Sequence, residues 1–277
     1  MARRLDAVYR GRRRWAGRGG AERAANLRNR TPWSAGHIAA DAADVRVRVA
    51  AASCTRYARH VEPNFWHERW LKGQTGFHLG HPNPTLLRHR AALGAAPGSR
   101  VLVPMCGKTL DLAWLLAQGH EVVGVELSAV AVQAFFDEQQ LSPTIDQEGP
   151  LVRYRVSGLE IFCGDLFALD RAHLGPVSAL FDRAALVAWP PSMQERYVRH
   201  IADLVPSGAH GLLVTFEYEP KGVSGPPFSV EESTVRGLYA PTFEVTHLER
   251  EALEVESRFK ERGVTSAHEC AYALVHR

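Results

Sequence analysis

"RVLVPMCGKTLDLAWLLAQGHEVVGVELS", residues 100–128, holds two strands and the helix between them. The run 100–107 is rich in Val and Leu with no polar alternation, which suits a strand covered on both faces. At 109–119 the period changes: Leu112, Leu115 and Leu116 share one helical face, and Gly119 stands where a left-handed cap ends a helix. Residues 121–128 return to the strand pattern, with Ser128 placed to cap the next helix. Strand, helix, strand at this spacing is a βαβ unit with parallel strands.

The alternation continues toward the C-terminus. Further strands are expected at 159–167, 178–186, 211–219, 243–251 and 269–277. Ser192 with Glu195 and Ser229 with Glu232 have capping-box spacing and predict two helix starts. Residues 142–157, polar and broken by Pro143, Gly149 and Pro150, predict a loop or a hairpin before the third strand. The last two strands can turn back on each other. The expected fold class is therefore α/β: one doubly wound, mostly parallel sheet of seven strands, with an antiparallel last strand, over residues 61–277.

Charge is uneven along the 277 residues. Residues 1–60 hold 14 Arg and 4 Asp or Glu, net +10, so the other 217 hold 19 basic and 26 acidic residues, net −7. The Arg- and Ala-rich segment is expected to be a basic, disordered extension. It also reads as translated upstream sequence, with Val61 as the start. A nucleic-acid arm is the functional alternative, since clustered Arg neutralises phosphates and Trp15 can stack on a base. The net −7 of the remainder is a poor surface for phosphates. Cys54, Cys106, Cys163 and Cys270 lie far apart with no CxxC pair, so reduced thiols are expected, and no metal. No apolar run approaches the ~18 residues of a spanning helix. A cytoplasmic monomer without a membrane is the expectation.

Open α/β sheets bind ligands beyond the carboxyl ends of their strands, so the residues just after each strand are informative. A dinucleotide site would show GxGxxG after the first strand, but "PMCGKTLD" has only Gly107. Strand two ends in Glu126, 19 residues beyond Gly107, at the spacing where a carboxylate accepts ribose hydroxyls. A ribose without a pyrophosphate fits S-adenosyl-L-methionine better than a nicotinamide dinucleotide. Gly164 and Asp165 follow strand three, where an adenine would lie. Asp182 and Arg183 form a charged pair inside strand four, costly to bury unless ion-paired or ligand-bound.

Ahead of the sheet, "FWHERWLKGQTGFH" (65–78) packs two Trp, two Phe and two His into fourteen residues. This segment, with "PMCGKTLDLAWL", "GHEVVGVELS", "LEIFCGDLF", "FDRAALVAWPP" and "GPPFSV", closely resembles the thiopurine S-methyltransferase family, its bacterial members in particular. The likeness runs in order from Phe65 to the C-terminus. It implies the class I methyltransferase fold, Rossmann-like, and S-adenosyl-L-methionine as methyl donor. By matching motif it places cofactor contacts on Trp70, Met105, Glu126 and Arg183, Met105 standing where the family commonly has Leu. Trp66 and Phe77 are assigned to a lid, whose aromatic faces suit a sulfonium cation. Trp66 and Trp70, four apart, share a face if the segment is helical.

The reaction implied is in-line methyl transfer to the sulfur, or the selenium or tellurium, of a small acceptor. Arg183 is the candidate to stabilise a thiolate, and Asp182 or His78 the candidate to take a proton. An O- or halide methyltransferase of the same fold is the alternative, and a non-catalytic nucleic-acid-binding module using the basic segment a more distant one.

Overall fold

The computed structural model describes residues 63–220 and 223–277. The expectations about residues 1–60, and Cys54 with them, lie outside the described residues. A helix α1 (Pro63–Leu71) and a short α2 (Pro84–His89) precede the sheet. Then come β1 (Arg100–Pro104), α3 (Leu110–Ala117), β2 (Glu121–Glu126) and α4 (Ala129–Glu138), the βαβ unit expected from 100–128. β1 and β2 pair in parallel from Arg100 with Glu121 to Pro104 with Val125. Thr109 caps α3 by accepting the N–H of Asp111, and Gly119 beyond its end has φ +87°. Ser128 is the N-cap of α4 by position, but its side chain makes no capping bond.

The segment 142–157 resolves as a hairpin, β3 (Thr144–Glu148) and β4 (Leu151–Val156), which pairs antiparallel onto β5 (Leu159–Cys163). After β5 follow α5 (Arg171–Leu174), β6 (Val177–Arg183), α6 (Pro191–Leu204) and β7 (His210–Glu219). α7 (Glu232–Tyr239), β8 (Phe243–Leu253), α8 (Ser257–Lys260) and β9 (Ser266–His276) complete the chain. Among the described residues the sheet has nine strands, in order β3-β4-β5-β2-β1-β6-β7-β9-β8, two more than the seven expected. The five from β5 to β7 are parallel, and β9 inserts antiparallel between β7 and β8.

Neither capping box forms. α6 starts at Pro191, whose fixed φ suits a first helical position, so Ser192 is already inside the helix and Glu195 pairs with Arg199 instead. α7 begins at Glu232 after Glu231, while the Ser229 hydroxyl accepts the Tyr218 N–H at 3.0 Å and so belongs to the loop. β5 and β6 also end earlier than expected, at Cys163 and Arg183, where Gly164 (φ +149°) and Ala184 (φ +62°) break the extended path.

The strands alternate between two cores. Leu102, Val123, Leu180 and Leu213 face one layer with α6 and α7, while Val101, Val103, Val122 and Phe181 face the other with α3 and α4. Each fully buried aliphatic or aromatic side chain contributes about 1.5–3 kcal/mol of transfer energy. That burial fixes the register and brings the ends of β1, β2, β5 and β6 side by side.

A cavity at the strand ends

A cavity of about 1080 Å³ opens where those strands end, lined by the lead-in segment on one side and the β7–β9 region on the other. Glu126 lies on its wall at the end of β2, 6% exposed. One carboxylate oxygen accepts the Gly107 N–H at 2.8 Å and the other the Ser128 N–H at 2.8 Å. Burial pushes its pKa up to about 7, against those hydrogen bonds, which favour the ionised form. A carboxylate so anchored is oriented to accept from paired hydroxyls of a ligand.

The turn after β1 is built for close approach. Gly107 has φ +53°, and a Cβ there would stand 3.0 Å from the indole edge of Trp70. Met105 and Ala184, after β1 and β6, also sit in the left-handed region, at φ +48° and +62°, and both line the cavity. Such backbone costs about 1–3 kcal/mol per residue and gathers at functional sites. Gly164 and Asp165 line the cavity after β5, Asp165 accepting the Phe167 N–H at 3.0 Å. Next to them Phe167 and Trp189 pack at 5.4 Å. The Trp189 indole N–H is buried without a partner in the protein, and the residue lines the cavity.

The lead-in segment lines one side of the cavity. Trp66 and Trp70 share a face of α1, and the Phe77 ring meets both edge-on, at 6.0 and 5.5 Å. Arg183 reaches across from the end of β6 and donates to the Phe77 carbonyl at 2.7 Å. His78 lines the cavity too, its pKa lowered chiefly by burial and then by Lys108, so it is neutral at pH 7 and able to take a proton.

Asp182 does not join them. Strand alternation that sends Arg183 into the cavity turns Asp182 into the core, where it is fully buried. It accepts from the Tyr197 hydroxyl at 2.8 Å, the Tyr239 hydroxyl at 3.3 Å and the Leu186 N–H at 3.3 Å. The charged pair is therefore no ion pair, and Asp182 anchors the strand end rather than meeting an acceptor. The sequence reading also passed over Trp189, though "AWPP" was in view, and Arg69, Asp111, Arg258 and Arg262, which line the cavity from scattered elements. Asp111 alone of these carried a signal, being charged inside an apolar helix face; it accepts the Asn83 N–H at 2.6 Å and the Thr109 hydroxyl at 2.7 Å.

A central parallel sheet with antiparallel edge strands and a buried, backbone-anchored carboxylate at the end of its second strand is the arrangement of the class I S-adenosyl-L-methionine-dependent methyltransferases. The solved 1,6-didemethyltoxoflavin-N1-methyltransferase of Burkholderia thailandensis, which holds S-adenosylhomocysteine, shares the fold: TM-score 0.54, 17% identity, 83% of this chain and 93% of that one. The thiopurine S-methyltransferase family model matches residues 61–277. A Pseudomonas aeruginosa thiopurine S-methyltransferase is 50% identical over 215 residues, 77% of this chain and 99% of its own length. That of Azotobacter vinelandii is 48% identical over 218 residues, 78% and 100%. The chain belongs to the thiopurine S-methyltransferase family. S-adenosyl-L-methionine is its methyl donor.

Proposed function

We propose that this protein methylates the sulfur of a small thiol, thiopurines being the acceptors its relatives are named for, or the selenium or tellurium of a metalloid compound. The observation that carries the reading is Glu126, both oxygens fixed by backbone N–H groups on the wall of a cavity large enough for donor and acceptor together. The donor fits what lines that cavity: Glu126 for the ribose hydroxyls, Gly164, Asp165 and the unpartnered Trp189 N–H for the adenine, and Arg183 for the carboxylate. Met105 and Gly107 let the backbone pass close to it, and Trp66, Trp70 and Phe77 offer aromatic faces to the positive sulfur.

When bound, S-adenosyl-L-methionine supplies an electrophilic methyl on a sulfonium sulfur. The chain's own residues align and dry the reactants. The aromatic segment excludes water, which strengthens every charge interaction beneath it. Arg183 stabilises an acceptor thiolate, and neutral His78 takes the proton of an acceptor that arrives as a thiol. Asp182, through Tyr197 and Tyr239, holds the end of β6 that presents Arg183.

In this reading residues 61–277 are the catalytic domain, working in the cytoplasm as a monomer without nucleic acid or membrane. Among the described residues no helix is long and apolar enough to cross a membrane. Calorimetric titration with S-adenosylhomocysteine, beside Glu126→Ala, tests the donor site. A panel of thiols, selenite, tellurite, phenols and halides with methyl-labelled donor tests the acceptor; transfer to oxygen or halide alone would replace the sulfur reading with the O- or halide methyltransferase.

A further inference from the structure

Past the end of β6 the wall of the cavity is built by β7. Arg183 pairs with Val214, so Thr215 is the first β7 residue with no partner in β6, while Cys270 of β9 flanks it on the other side. Thr215 is only 2% exposed, yet it lines the cavity, and its hydroxyl has no hydrogen-bond partner. Beside it the Tyr272 hydroxyl is fully buried and equally without one. Burial raises the Tyr272 pKa and Thr215 offsets part of the rise, so the two hydroxyls are neighbours although they do not bond. Adjoining buried hydroxyls left unpaired are rare, because each gives up its hydration with nothing in return. Val fits a strand equally well and would carry no such cost at this position.

The surroundings of Thr215 are apolar. Phe216 follows it in the strand, the turn at Leu186–Ala188 packs against β7, and the Phe228 N–H ties the loop of Pro226 and Pro227 to the Val187 carbonyl at 2.7 Å. Phe216, Val187, Pro226 and Pro227 all line the cavity, walls that suit an aromatic ring.

We infer that the Thr215 hydroxyl is a specificity-determining contact for the methyl acceptor: it donates to a ring nitrogen next to the reacting sulfur, and so selects heteroaromatic thiols over carbocyclic ones. Arg183 and Thr215 stand one position out of register on neighbouring strands, which run about 5 Å apart. That span lets the guanidinium hold the sulfur of a small ring while the hydroxyl reaches the adjacent ring atom. An electron-rich thiolate ring offers a lone pair, so Thr215 donates, and the Tyr272 hydroxyl donates in turn to the Thr215 oxygen. A ring with C–H at that place leaves the hydroxyl unpaired. The inference rests on the sulfur-transfer reading above.

The test compares kcat/KM for pyridine-2-thiol and benzenethiol in the wild type, Thr215→Val and Thr215→Ser. Intrinsic reactivity cancels when the pyridine-to-benzene ratio is compared between proteins. Thr215→Val is expected to lower that ratio about tenfold, the worth of one hydrogen bond in a buried site, and Thr215→Ser to keep it near the wild-type value. A ratio that Thr215→Val leaves unchanged would overturn the inference. Thermal unfolding tells this from a merely structural role: with no bond to lose, Thr215→Val should melt at or above the wild-type temperature. A Tm lowered by several degrees with the ratio unchanged would assign the hydroxyl to a core bond with Tyr272 instead. Calorimetry separates the contact from failure of the transfer reading. The S-adenosylhomocysteine complex of the wild type should bind 2-(methylthio)pyridine about tenfold more tightly than that of Thr215→Val, while thioanisole binds both alike. That pattern without turnover of any thiol would keep the Thr215 contact while removing sulfur transfer. Equal binding of 2-(methylthio)pyridine to both proteins, or none to the wild type, would remove the contact.

Discussion

Glu126 accepts the Gly107 N–H at 2.8 Å, so the turn that ends β1 and the carboxylate that ends β2 are one unit. Its second oxygen is equally occupied by Ser128. Glu126→Gln cannot satisfy both N–H groups, because one amide oxygen faces one of them and an NH2 group faces the other. S-adenosylhomocysteine affinity should fall about 10- to 100-fold, the range of a hydrogen bond to a charged group, as read by calorimetry.

Burial holds the Glu126 pKa at about 7, and ligand hydroxyls donate more strongly to its ionised form. Affinity for S-adenosylhomocysteine should therefore rise with pH between about 6 and 8 in the wild type and stay flatter in Glu126→Gln. The free protein should trend the opposite way. A carboxyl whose folded pKa is above its usual value adds stability in the protonated form, and that stability is lost as pH rises through about 7.

Gly107→Ala meets two obstacles at once: φ +53° and the Trp70 indole 3.0 Å from the new methyl. We expect a loss of about 1–2 kcal/mol in stability and weaker donor binding, since Trp70 must shift. Urea denaturation gives the first quantity; an unchanged midpoint would show that the turn can relax.

Asp182→Ala leaves the Tyr197 and Tyr239 hydroxyls unsatisfied in the core, at a cost of about 2–4 kcal/mol. Asp182→Asn costs less. Because burial raises the Asp182 pKa to about 6, its contribution is fully present below about pH 4 and declines as pH rises through 6. A Tm series from pH 4 to 7 should be flatter in the Asn variant. Residual kcat per folded molecule should stay well above that of Arg183→Ala.

Arg183→Ala removes both a cavity cation and the bond to the Phe77 carbonyl. Turnover should drop by about tenfold or more, and limited proteolysis should cut faster between residues 73 and 81. Unchanged cleavage with lost turnover would assign Arg183 to the reactants alone.

Much of this was legible in the sequence because periodicity is set by burial. The Val-rich strands and the Leu face of α3 could not be arranged otherwise without exposing them, and Glu126 stood out because a carboxylate ending an apolar strand needs a reason. What was left open or escaped had competing local signals. β3 and β4 carry charged residues on an exposed face, so "TIDQE" and "RYR" allow either a loop or a hairpin until the edge of β5 supplies their partner. Ser192 and Ser229 had the right spacing, but Pro191 and the Tyr218 N–H claimed the local geometry first. Asp182 and Arg183 looked alike as charges; only the pleat decides that one enters the core and the other the cavity. Arg69 and Arg258 share no sequence signature, since α1 and α8 are almost two hundred residues apart.

The insertion of β9 between β7 and β8 bears on how the protein is made. On the ribosome β8 emerges first, yet its place in the sheet is two ladders from β7 and stays vacant until β9 arrives. Glu269, part of the cavity wall, and the ladder that fixes Thr215 and Phe216 come with that strand. A nascent chain can assemble the β1–β6 part of the sheet during synthesis, but the β7–β9 side of the cavity closes only through a late, non-local pairing. Folding order thus separates the two sides of the cavity in time: the wall that carries Glu126 is built before the wall that waits for β9.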